Sequence, residues 1–76
     1  MSLGEDRVRV KFNPTENVVV ATFKQKTAEL IDMCNDVHRN EADPEIRRLC
    51  AIAMQHYEEG CNSIVKALTT SAYLTQ

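Results

Sequence analysis

The sequence predicts an all-α protein: an antiparallel two-helix hairpin with a short extended or strand-like N-terminal arm, assembling into a homo-oligomer. Two rows of apolar residues spaced three and four apart, joined by a few polar residues, predict the hairpin. The copies are predicted by size. At 76 residues the chain has no room for a barrel or a doubly wound sheet. Chains this short need disulfides, a metal, very good helix packing or self-association to offset the entropy of ordering.

The arm covers residues 1–14. Within it Arg7-Val8-Arg9-Val10-Lys11-Phe12 alternates cations with apolar residues, which in a strand places Arg7, Arg9 and Lys11 on one face and Val8, Val10 and Phe12 on the other. Asn13-Pro14 ends the alternation. Phe12 reads either as an apolar anchor for the arm or as an aromatic face for stacking on a base, with Lys11 and Arg9 available to phosphate.

The hairpin is expected over residues 15–70, with helices at about 17–39 and 43–69, and residues 71–76 as a C-terminal tail. Asn17 is a suitable N-cap for the first helix. Val20, Phe23, Thr27, Leu30, Cys34 and Val37 form its seam, while Gln25, Glu29, Asp32 and Asp36 form its wet face. The β-branched run Val18-Val19-Val20 is a poor helix start, open to fraying or to staying extended. Asp43-Pro44-Glu45 is a strong helix start: a cap, a proline at the first position and an acid facing the positive helix end. From it Ile46, Cys50, Ala53, Tyr57, Gly60, Ile64 and Ala67 form the second seam. The short connection folds the helices back on each other.

The second helix has more apolar surface than a hairpin can cover. Leu49 and Ile52 lie to one side of its seam, and Met54, Cys61 and Val65 to the other, which predicts an association surface. Gly60, inside the helix, costs roughly 1 kcal/mol relative to alanine, offset by close helix approach.

Composition narrows the function. Nine Lys+Arg against eleven Asp+Glu give a formal charge of −2, so nothing advertises nonspecific DNA or RNA binding. Cys34, Cys50 and Cys61 are odd in number, lack CxxC spacing and fall at helical core positions, so neither a disulfide framework nor a zinc site is expected. There is no run of 18 apolar residues and no signal-peptide-like region, which predicts a soluble, intracellular protein with no membrane partner. His56 and Glu59 are three apart and read as a surface or interface pair. With no nucleophile–base set, no phosphate loop and no HExxH motif, no enzyme and no cofactor is expected.

Binding is better supported. Lys24 and Lys26 flank the first seam about 80° to either side, as solvated lysines or as phosphate ligands. Thr27 sits in mid-seam, where its hydroxyl must bond the Phe23 carbonyl or face a polar cavity at an oligomer axis.

The segments KFNPTEN, FKQKTAELID and PEIRRLCAIAMQHYEEGCNSIVKAL together resemble the phage anti-CBASS and anti-Thoeris cyclic-nucleotide sponges, over roughly residues 9–68. The resemblance implies a homo-oligomer of helical hairpins, a hexamer, working in the cytoplasm of the infected bacterium. It would hold cyclic dinucleotide or trinucleotide signals without cleaving them. Dinucleotides would lie between two protomers and trinucleotides where three meet. On this resemblance Phe12 matches the base-stacking aromatic, Lys26 or Lys24 the phosphate-binding lysine, and Lys66 the basic residue of the trinucleotide pocket. Some members of that family have an N-terminal helix where this chain has the alternating arm. From a different class, a structural or adaptor hairpin binding a protein through the second helix is the alternative.

Overall fold

The computed structural model describes residues 2–9 and 17–70. They form three helices, α1 (Leu3–Val8), α2 (Val18–Asn40) and α3 (Pro44–Thr70). The two long helices pack side by side in a slab of 49 × 21 × 12 Å, with α1 laid across one broad face.

Both long helices fall within one residue of their expected bounds because the cap chemistry is local. The Asn17 side chain accepts from the Val19 N–H at 2.8 Å, and the Asp43 carboxylate accepts from the Glu45 N–H at 2.8 Å. The valine run is helical from Val18 onward, where the Thr22 hydroxyl donates to the Val18 carbonyl at 2.8 Å. Residues 41–43 make the turn, and within it the Asp43 N–H donates to Glu41 at 3.2 Å.

The N-terminal arm departs from expectation. Arg7 and Val8 belong to α1, Arg9 caps it in the left-handed region at φ 57°, and among the described residues there is no strand. The remainder of the alternation, from Val10 through Lys11 and Phe12 to Pro14, lies outside the described residues. The reason is a capping box. The Ser2 hydroxyl accepts from the Glu5 N–H at 3.1 Å, and the Glu5 carboxylate accepts from the Ser2 N–H at 3.0 Å.

Six residues are too few to hold a helix in water, so α1 depends on what it touches. Gly4 packs directly on α2. A Cβ there would collide with the Ala28 carbonyl oxygen and sit 2.9 Å from the Ala28 Cα, and the Gly4 N–H donates to the Asp32 carboxylate at 2.7 Å. Val8 closes the contact, buried with Ala28, Ile31, Met54 and Cys61, while Leu3, Cys34 and Val65 pack at the margin.

This third layer rotates both seams. Of the row expected to be interior on α2, Val20 is buried and Thr27 and Cys34 are half-buried. Phe23, Leu30 and Val37 instead remain 41%, 41% and 52% exposed. Their places are taken by Ala28 and Ile31, which face α1 as well as α3. On α3, Met54 and Cys61 are not surplus surface but core, with Val65 half-buried against them, and the expected seam residues Ile46, Tyr57 and Gly60 are open. A seam inferred for two helices misses the burial direction that a third one sets.

Gly4→Ala should therefore undock α1 and leave the hairpin in place. Overpacking of this kind costs about 1–3 kcal/mol. The urea midpoint should fall and amides of residues 4–8 should lose exchange protection while those of α3 keep theirs. Protection retained at residues 4–8 would contradict the docking described. Asp43→Ala should cost about 1 kcal/mol in the same urea titration, as loss of an N-cap does.

Candidate functional site

At the open end of the hairpin the C-terminal end of α1, the first turns of α2 and the last turns of α3 come together. Between them lies a cleft of about 290 Å³ lined by Val8, Arg9, Lys24, Cys61, Asn62, Val65, Lys66 and Thr69. Each cation reaches it for a separate local reason. Arg9 is the left-handed residue that terminates α1, its N–H capping Asp6 at 3.3 Å, and so its position is fixed by the docking of Gly4 and Val8. Lys24 follows Val20 by one helical turn on the side of α2 nearest α1. Lys66 lies near the C-terminal end of α3, where the helix dipole favours a positive charge.

Among the described residues that line this cleft, three are cations. Lys24 and Lys66 on an ordinary solvated surface would be unremarkable, but convergence with Arg9 in one concavity is a different electrostatic object. Like charges gathered beside a low-dielectric core focus a positive potential, and the favourable occupant is an anion. Arg9 supplies a planar fork suited to phosphate, the two lysines supply point charges, and Asn62 and Thr69 add neutral donors at the rim. In volume the cleft is at the lower end of small-molecule sites, enough for one nucleotide unit.

The other expected residues are placed elsewhere. Lys26 lies beside Val18, Val19, Thr22 and Phe23, in an apolar depression of about 350 Å³ on another part of α2. Thr27 lines a hollow of about 280 Å³ with Phe23, His56, Tyr57, Gly60 and Ile64, where α2 and α3 meet on the slab face away from α1. Lys24 and Lys26 are thus separated, as a two-residue spacing on a helix requires. Phe12 and Lys11 lie outside the described residues. Asn62 and Thr69 had no sequence signal of their own. Their position one turn before and one turn after Lys66 could have found them once Lys66 was singled out.

Among the described residues no three His, Cys, Asp or Glu side chains converge as metal ligands, and no helix is long and apolar enough to cross a membrane. The three cysteines are free thiols, with Cys61 buried and Cys34 and Cys50 half-buried. Comparison with protein families, with curated proteins and with solved structures gives no match for this chain.

Titration with inorganic pyrophosphate should move the amide resonances of Arg9, Lys24, Asn62 and Lys66 together, with that of Lys26 unmoved. Shifts spread evenly over all the lysines would mean that the cleft is not a distinct anion site.

Proposed function

We propose that the protein binds cyclic oligonucleotide signals, cyclic dinucleotides or trinucleotides, and holds them intact. The observation that carries this reading is the meeting of Arg9, Lys24 and Lys66, from three different helices, in one cleft. Cyclic oligonucleotides present phosphodiester anions at every linkage, and one nucleotide unit matches the cleft's volume. Sequestration requires affinity without transition-state stabilisation, so no catalytic group is called for. Negative net charge disfavours long DNA or RNA, whereas a compact anion responds to the local field.

The resemblance to the phage anti-CBASS and anti-Thoeris sponges supports the same ligand class. In that setting the protein would act in the cytoplasm of the infected bacterium and deprive antiphage effectors of their activating signal. It would do so as a homo-oligomer, a hexamer on the family pattern, whose several clefts meet one multivalent ligand. The helix observed at residues 3–8 brings the chain closer to those members that have an N-terminal helix. A protein-binding adaptor is the competing reading, supported by the exposure of Ile46 and Leu49 on α3.

Calorimetric titration with a panel of cyclic di- and trinucleotides distinguishes the two. At least one member should bind, be recovered intact, and lose affinity tenfold or more with Lys66→Glu, a change of about 1.4 kcal/mol. A folded protein that binds none of the panel, or a K66E variant with unchanged affinity, would favour the adaptor.

A further inference from the structure

We propose that Asp32 is a positioning residue for the anion cleft: by holding the Gly4 N–H it sets how far along α2 the short helix α1 lies, and so where Arg9 stands. The sequence puts Asp32 on the wet face of α2 with Gln25, Glu29 and Asp36, and those three are exposed. Asp32 is half-buried instead, and its carboxylate accepts from the Gly4 N–H at 2.7 Å. That bond joins two helices, whereas the side-chain bonds of Thr22, Arg39, Arg48 and Gln55 reach no further than four residues along the chain.

Burial and hydrogen bonding do different jobs in this contact. Val8 is buried in the core and Gly4 lies against Ala28, but apolar burial is non-directional and resists lifting more than sliding. A hydrogen bond has a narrow range of length and angle, so the Asp32 bond fixes α1 along its own axis. The Gly4 N–H is in the first turn of α1, where the helix has no carbonyl of its own to offer it. Without Asp32 that donor would be stranded against α2, and α1 would slide or lift to satisfy it. From Gly4 to Arg9 the chain advances five residues, about 7.5 Å of helix, and from Ala28 back to Lys24 α2 runs four, about 6 Å. The two steps are close in length, so a pin at Gly4 delivers Arg9 to the cleft that Lys24 lines.

The charge of Asp32 separates this role from a simple effect of the field. Asp32 is not among the residues that line the cleft, and its negative charge lowers the potential that an anion would feel there. By field alone, neutralising it would tighten anion binding. Positioning requires the opposite for a side chain that cannot accept the Gly4 bond, and no loss for a neutral one that can. The proposal rests on the anion-binding reading of the cleft and names the residue that governs its geometry.

Calorimetric titration of the full chain with inorganic pyrophosphate tests it. Asp32→Ala should weaken binding fivefold or more, as when four molecules in five hold α1 out of place. Asp32→Asn, neutral but with a carbonyl oxygen in the same position, should bind at least as tightly as the wild type. D32A should keep the circular dichroism of the two long helices, since alanine favours a helix. Should it lose them, Asp32→Ser, whose hydroxyl falls short of the amide, takes its place in the comparison. D32A or its stand-in binding as tightly as the wild type, or D32N weakened to the same extent, overturns the proposal and leaves the anion reading of the cleft standing. A wild type that binds no pyrophosphate overturns that reading, and the proposal with it.

Discussion

Everything distinctive about this molecule depends on how closely α1 approaches α2. Gly4 rests on the Ala28 carbonyl with no room for a side chain, and its N–H is held by Asp32. That contact does three things at once. It covers one side of the hairpin and so decides that Ala28, Ile31, Met54 and Cys61 are core. It leaves the other side bare. It also fixes the chain where Arg9 ends the helix, which brings a third cation to Lys24 and Lys66. Two long helices alone would have a seam and two equivalent flanks. The short third helix makes the flanks different.

Much of the hairpin was legible because its signals are short-range. Asn17 and Asp43-Pro44-Glu45 set the helix starts through hydrogen bonds spanning two residues, and such bonds form whatever the tertiary surroundings. The first helix was legible too, in Ser2 and Glu5, but the Arg-Val alternation drew the reading toward a strand. A period of two over a few residues is weaker evidence than a reciprocal cap, because Val8 and Leu3 satisfy a helical face equally well. Rotation of the seams was not legible. Phe23, Leu30 and Val37 have ideal heptad spacing, and spacing alone does not say whether the partner helix belongs to the same chain.

The site was half legible for a related reason. Residue type picked out Arg9, the resemblance alone picked out Lys66, and flanking positions on the wheel picked out Lys24 and Lys26 alike. Which lysine joins Arg9 depends on which flank α1 covers, and that is settled by Gly4, a residue with no side chain to suggest a role. A net charge of −2 likewise concealed the cleft. Several acids are placed away from it, Asp36 and Glu45 in exposed pairs with Arg39 and Arg48 near the hairpin turn, Glu59 with Gln55. A global sum says little about a local potential in a slab 49 Å long.

On the proposed function, ligand binding is tied to the shortest element. The cations come from three helices, and α1 is the shortest of them, with no independent helical stability. An anion between Arg9, Lys24 and Lys66 would attract all three to a common charge and draw the three helices together. On the proposed function, binding and the docking of α1 would be linked equilibria: whatever holds α1 down would raise affinity, and a bound anion would hold α1 down. Assembly of copies on the family pattern would leave this linkage intact within each protomer while multiplying the clefts offered to one ligand.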